Sequence, residues 1–309
     1  MILTITLSPT FDLSYQVKEI IPNAVNRVGK KSFETSGKGI NVSINLAEAK
    51  IPTIAIAPIP ETLLGELWIN MATENMVVRT SKSSHEVRIN TSINSDGGTT
   101  KINESFEKLA DDELKDLISV VTNEAKAHKP SWIALCGSVH PDNAKFLGES
   151  LRKLCNEVSA KFAVDTSGES AQILFDFGPD FIKPNRDELR DWYPESAKSE
   201  DAYVAAIRDL AKRIDGTVLC TDGGKTAYAT DNKNLLEIVP PTIAAVNSVG
   251  AGDASLAGYL AAESSGSDFV TAVTTAMKWA IASCLNPQSA GLNLKAASGF
   301  DASVRELVR

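Results

Sequence analysis

Histidine is scarce in this chain of 309 residues: only His85, His128 and His140 occur, far apart. Scattered in this way, they offer no strong catalytic signal. Cysteine is nearly as rare. Cys136, Cys155, Cys220 and Cys284 form no Cys-x-x-Cys pair and have no zinc-ligand spacing. Three of them end apolar runs (ALC, VLC, ASC), which reads as core packing, and reduced thiols suit a cytoplasmic location. No run of Lys or Arg appears and the formal charge is −8, so neither nucleic acid nor an anionic membrane is an expected partner. No apolar stretch approaches the roughly 20 residues that span a bilayer. The opening MILTITLS is apolar but short and lacks a basic lead, so it reads as a strand and not a signal peptide. No repeat or low-complexity segment stands out.

What is present is a regular alternation. The chain is 43% hydrophobic, enough for one large α/β domain that needs no staples. Short apolar runs at 2–7, 51–59, 131–136, 161–165, 179–182 and 216–220 read as strands. Helical patterns are expected near 39–49, 62–75, 110–127, 142–157 and 199–213. Strand alternating with helix implies a mostly parallel sheet covered on both faces. Two segments break this rhythm, 12–35 and 85–104. The second carries Asn94-Ser95-Asp96-Gly97-Gly98 between extended flanks, a hairpin signal. Both are expected to build a small accessory sheet inserted in the single domain 1–309.

The sharpest chemical signal is Asn247-Ser-Val-Gly-Ala-Gly-Asp-Ala-Ser-Leu-Ala-Gly258. The Ala- and Leu-rich stretch 254–264 is helical. Gly250, Ala251 and Gly252 therefore lead into a helix N-terminus, where unpaired amides and the positive helix end attract anions. Asp253 lies beside that hole, and a carboxylate so placed can take a proton from an attacking hydroxyl. The bland reading is a flexible loop with an N-capping Asp. No Gly-Lys-Ser/Thr follows, so this is not a Walker A loop. It also comes too late in the chain for a dinucleotide fingerprint.

Taken together, the motifs resemble the ribokinase-like (PfkB) carbohydrate kinases from end to end. Asn247–Ala254 matches their C-terminal signature and Ser36-Gly-Lys-Gly-Ile-Asn-Val-Ser43 their N-terminal one. Between these lie Cys136-Gly-Ser-Val-His-Pro141 and Lys183-Pro-Asn-Arg-Asp-Glu-Leu189. Ser8-Pro-Thr-Phe-Asp12, Asn26-Arg27 and Arg88-Ile-Asn90 are similar to the phosphosugar branch of 1-phosphofructokinases and tagatose-6-phosphate kinases.

The resemblance implies a three-layer α/β/α core with a small β lid that often builds a homodimer. It also implies MgATP-dependent transfer to a hydroxyl of a ketohexose phosphate. Fructose 1-phosphate is the first expectation; tagatose 6-phosphate or fructose 6-phosphate is the alternative. By the same resemblance Asp253 is the base, with Gly250, Ala251 and Gly252 as the anion hole. Asp12, Gly37, Lys38, Gly39, Asn41 and Ser138 would bind the sugar, with Arg88, and more weakly Arg27, on its phosphate. Lys183, Asn185, Thr221, Gly223 and Asn286 would meet the nucleotide, while Glu188, with Asn185, organises magnesium through water. Three departures stand out. Ser36 replaces a glycine, Val139-His140 replace Leu-Pro, and Cys220-Thr-Asp-Gly-Gly-Lys225 replaces Ser-x-Gly-x-x-Gly, bringing Asp222 towards the path of ATP. That altered loop alone supports a rival class, a non-catalytic sugar or nucleotide sensor.

Overall fold

The computed structural model describes residues 1–70 and 76–307. In chain order the first half runs β1 (Ile2–Thr6), β2 (Thr10–Gln16), β3 (Lys30–Ser36), α1 (Lys38–Glu48), β4 (Thr53–Pro58), α2 (Leu63–Ile69), β5 (Met76–Ser81), β6 (Arg88–Ser95), β7 (Gly98–Asn103) and α3 (Asp111–His128). It continues with β8 (Trp132–Cys136), α4 (Pro141–Val158), β9 (Lys161–Asp165), α5 (Gly168–Phe175), β10 (Phe181–Ile182), α6 (Arg186–Trp192) and α7 (Glu200–Ile214). The last part is β11 (Thr217–Cys220), β12 (Ala227–Thr230), β13 (Leu235–Val239), α8 (Ala251–Ser264), α9 (Phe269–Cys284), α10 (Leu294–Ala297) and β14 (Ser303–Glu306). The helix expected over 62–75 stops at Ile69, and its positions 71–75 lie outside the described residues.

The large sheet has the order β14-β13-β12-β11-β10-β9-β8-β1-β4-β5. It is parallel from β11 to β5 and closes with three antiparallel strands, β12, β13 and β14. Alternation along each strand divides the core into two layers. Leu3, Ile5, Ile133 and Leu135 pack with α3, α4 and α7 on one face. Ile2, Trp132, Ala134 and Cys136 pack with α1, α8 and α9 on the other. The α/β/α expectation therefore holds, and the long apolar α9, unforeseen in the sequence, completes the second helical layer.

The two irregular segments form a separate sheet of order β3-β2-β6-β7. The expected hairpin joins β6 to β7, with Gly98 at φ +125°. Register puts Thr10, Asp12, Ser14 and Gln16 of β2 opposite Ser36, Glu34, Ser32 and Lys30 of β3, and Arg88, Asn90, Ser92 and Asn94 of β6. Paired residues project to the same side, so this face is wholly polar. The other face carries Phe11, Leu13, Phe33, Ile89 and Ile102, with Phe33 stacked on Phe11 and Phe33 and Ile102 exposed.

Candidate active site

The carboxyl ends of β1, β8, β9, β10 and β11 converge on one region, where parallel α/β sheets present ligand sites. Helix α8 starts there. Gly250 is its N-cap at φ +83°, a left-handed conformation that a Cβ would strain, and a Cβ would also collide with the carbonyl oxygen of Ser289. Ala251, Gly252 and Asp253 form the first helical turn itself, so the turn expected before the helix is part of it. Their amides are the free ones. Asp253 is buried and accepts a hydrogen bond from Asn41 Nδ2 at 2.8 Å. Asn41 is presented by α1, which begins after Gly37 (φ +128°) and lies tight against β1: a Cβ on Gly39 would run into Thr6 Oγ1 and the Ile5 carbonyl.

Asp165, the last residue of β9, was not anticipated. It is buried and holds two ammonium groups, Lys38 Nζ at 3.1 Å and Lys183 Nζ at 3.7 Å. Burial alone would push its carboxyl up, but Lys183 and then Lys38 outweigh burial and hold it below the usual range. Lys38 is raised in turn: burial opposes its charge, and Asp165, Glu188 and Asp253 overcome that. Lys183 follows β10, and its Nζ lies 3.2 Å from where a Gly252 Cβ would sit, directly against the anion hole. Lys38 and Lys183 thus share one buried carboxylate, whereas Arg88 bonds elsewhere. Asp253, with burial first and Asp165 second pushing it up, reaches about 6, although Lys38, Asn41 and Lys183 pull the other way. A carboxylate tuned to about 6 is well matched to proton acceptance near neutral pH. The sequence offers only a weak hint of Asp165, in that KFAVD is an apolar strand ending on a carboxylate, and nothing in it names Lys38 and Lys183 as partners.

On the other flank, Asn185 and Glu188 make a reciprocal capping box at the start of α6. Asn185 Oδ1 accepts from the Glu188 amide and Glu188 Oε2 from the Asn185 amide, each at 2.9 Å. Thr221 pairs with this turn, its carbonyl accepting from Arg186 N–H at 2.8 Å. Gly223 is exposed at φ +55°. Asp222 is neutralised by Arg186 at 3.5 Å and Lys225 at 3.8 Å, and Arg186 stacks over Tyr203 at 4.0 Å. The carboxylate in the altered loop is thus already paired. Asn286 caps its own loop, its Oδ1 accepting from Gln288 N–H.

Asp12 and Arg88 lie on the polar face of the small sheet. Asn90 Nδ2 donates to Asp12 Oδ1 at 3.3 Å. Arg88 donates to the carbonyls of Glu104 (2.8 Å) and Ser8 (3.4 Å), and its buried Nε has no hydrogen-bond partner. It borders a cavity of about 190 Å³ lined also by Ser8, His85, Glu104 and Phe106. Arg27 is exposed on the segment joining β2 to β3. Ser138 follows Gly137 (φ +92°), whose missing Cβ would touch Lys38. His140 is an ordinary helix cap, accepting from Asp142 N–H. Among the described residues no cluster of three His, Cys, Asp or Glu side chains is arranged to hold a metal.

A mostly parallel α/β/α core, with a buried carboxylate at a glycine-led helix N-terminus, defines a phosphoryl-transfer type of site. Similarity to known proteins carries this one step further. The pfkB family carbohydrate kinase pattern matches residues 4–295, and the chain belongs to that family. It is 27% identical over 276 residues to 1-phosphofructokinase of Borreliella burgdorferi, covering 86% of each chain. It is 28% identical over 264 residues to tagatose-6-phosphate kinase of Staphylococcus epidermidis, covering 84% of each. Its fold superposes on phosphofructokinase-2 from Escherichia coli in complex with substrates and products with a TM-score of 0.87, at 23% identity over 97% of each chain.

Proposed function

We propose that the protein transfers the γ-phosphoryl group of ATP to a hydroxyl of a ketohexose phosphate, with fructose 1-phosphate the first candidate acceptor and tagatose 6-phosphate or fructose 6-phosphate the alternatives. The observation that carries this reading is the buried Asp253, tuned to about 6, beside the free amides of α8 and the ammonium of Lys183. The acceptor hydroxyl gives its proton to Asp253 as its oxygen bonds to the γ-phosphorus. The bond from that phosphorus to the bridging oxygen breaks, and ADP leaves. Amides 251–253, Lys183 and Lys38 face the charge on the moving phosphoryl group. Asp165 holds both lysine side chains in place.

Asp12 and Asn41 take sugar hydroxyls, with Gly37, Gly39 and Ser138 close by. Arg88 offers its unpartnered Nε to the sugar's phosphate, and Arg27 is the secondary candidate for that phosphate. Asn185, Thr221, Gly223 and Asn286 line the nucleotide side. Magnesium fits here through water: Glu188 commits Oε2 to its capping box and has Oε1 free of that bond. When bound, it would neutralise charge on the phosphates. The small sheet is read as a lid over the sugar. Its apolar face, with Phe33 and Ile102 exposed, supports a homodimer built lid to lid, in the cytoplasm.

A coupled ADP-release assay over phosphosugars and their unphosphorylated parents tests this. Turnover is expected with at least one ketohexose phosphate and at least ten-fold poorer kcat/KM with the matching free sugar. No turnover with any acceptor would favour the sensor reading.

A further inference from the structure

Glu34 is the residue whose position calls for explanation. It lies on β3 directly opposite Asp12 on β2, so two carboxylates share one face at one rung of the sheet. Like charges directly opposite in a sheet destabilise it. What Glu34 gains is a long-range bond: its Oε2 accepts the backbone N–H of Ser289 at 3.0 Å, across 255 residues of sequence. Ser289 lies in the loop between α9 and α10, and its carbonyl packs where a Cβ of Gly250 would be. One residue is thus gripped by the small sheet through its N–H and abuts the anion hole through its C=O. The same loop holds Asn286, and its far end is fixed to α1, with Asn45 accepting from Gly291 N–H at 2.8 Å and Glu48 from Leu292 N–H.

We propose that Glu34 is a positioning residue that couples sugar binding at Asp12 to nucleotide binding at the Gly250 hole, through its bond to Ser289. Resting on the phosphosugar-kinase reading, the inference adds how the two substrates sense one another. Sugar hydroxyls donating to Asp12 disperse its charge and ease the repulsion on Glu34. Glu34 then keeps its existing bond to Ser289 more firmly, and Ser289 holds Gly250 in its left-handed turn. A ligand shifts an equilibrium only by a differential interaction, and that relief of repulsion is the differential term. The effect is reciprocal, because nucleotide and sugar must change each other's affinity by the same factor, commonly about 5–150-fold.

The test uses the full chain, with adenylyl-imidodiphosphate plus magnesium as one probe and fructose 1-phosphate, then tagatose 6-phosphate and fructose 6-phosphate, as the other. Titration calorimetry is run with each probe alone and with the partner present. In the wild type, bound phosphosugar should tighten the nucleotide analogue by about ten-fold or more, with the same factor in reverse. Glu34→Ala removes the latch, so the analogue should bind weakly with or without sugar. Glu34→Gln keeps an acceptor oxygen without the repulsion, so the analogue should bind nearly as tightly without sugar as the wild type does with it. A merely structural role would move both variants the same way. Wild-type coupling retained in Glu34→Ala, or both variants weakened alike, overturns the proposal. So does wild-type binding of both probes without coupling. Binding of none of the three phosphosugars removes the phosphosugar reading and this inference with it. Should Glu34→Ala not fold, hydrogen exchange of wild-type residues 286–291 decides. Sugar alone should protect them, and unchanged exchange refutes the latch.

Discussion

Replacing Asp253 by asparagine should damage activity and strengthen the fold, and the two effects follow from one feature. The carboxyl is raised from an ordinary 3.8 to about 6, chiefly by burial and then by Asp165. A shift of about two units corresponds to roughly 3 kcal/mol that the folded state loses by keeping this group ionised. Between about 3.8 and 6 the folded protein binds more protons than the unfolded chain, so stability falls as pH rises through that window. The cost is complete above about 6 and absent below about 3.8. The side-chain amide of the Asp253→Asn variant is neutral, still offers an oxygen to Asn41 Nδ2, and relieves the repulsion from Asp165. At pH 7.5 the variant should therefore unfold at a higher urea midpoint, by up to about 3 kcal/mol, and the gain should vanish near pH 4. Turnover should fall by about two to four orders of magnitude, the usual loss with a general base. Wild-type kcat/KM should rise with pH through about 6 and then level. Urea melts at four pH values and a coupled ADP assay measure both halves. Equal midpoints at pH 7.5 would refute the buried-charge argument, and undiminished turnover would refute the base.

Other substitutions separate the remaining roles. Arg88→Ala should raise the phosphosugar KM by about 10–100-fold, the worth of a charged hydrogen bond, while the ATP KM stays within a few-fold; an unchanged acceptor KM would remove the clamp. Asp165→Asn leaves the buried Lys183 without its counter-charge and should cost about 3 kcal/mol or more in a denaturant melt. It also removes a repulsion on Asp253, so the acid limb of kcat/KM should move below 6, and a limb that stays put would contradict the coupling. Gly250→Ala forces a Cβ onto the Ser289 carbonyl at positive φ. It should cost about 2–4 kcal/mol and most of the turnover, whereas Gly223→Ala, with open space around it, should cost about 1 kcal/mol for its positive φ alone.

Local signals and non-local ones were not equally legible in the sequence. The strands at 2–7, 131–136 and 161–165 are short β-branched or apolar runs, and their helices carry clear spacing, so the parallel half of the sheet could be read directly. The antiparallel strands β12, β13 and β14 could not, because AYAT, LLEIV and SVRE are brief and their pairing is decided by partners far along the chain. Helix α9 was missed because FVTAVTTAMKWAIASC is apolar almost all round and shows little face-to-face contrast. At the site, Asp253 announced itself through its glycines. Asp165 did not, since a carboxylate at a strand end looks like any other until the fold sets Lys38 and Lys183 upon it. Glu34 was equally invisible: a glutamate in a charged, exposed-looking strand gives no hint of a backbone amide 255 residues away.

Lys38, Lys183, Asp165 and Asp253 also fix the charge on the cleft floor. Two ammoniums face two carboxylates, so without ligand the four groups sum to zero when Asp253 is ionised and to +1 when it is protonated. On the proposed function, a triphosphate arriving at the helix N-terminus would meet the lysines and add negative charge beside Asp253, which would strengthen its hold on a proton. The proposed base would then become more basic when its proton-acceptor role is required, and the attacking hydroxyl would lose its proton to a group that ATP itself had tuned. Water would exploit the same base, so on this proposal a sugar held at Asp12 and Asn41 would have to exclude it. Transfer in preference to hydrolysis then depends on the small sheet and the anion hole assuming their positions together. The two are already joined by Ser289, whose amide answers to one and whose carbonyl packs against the other.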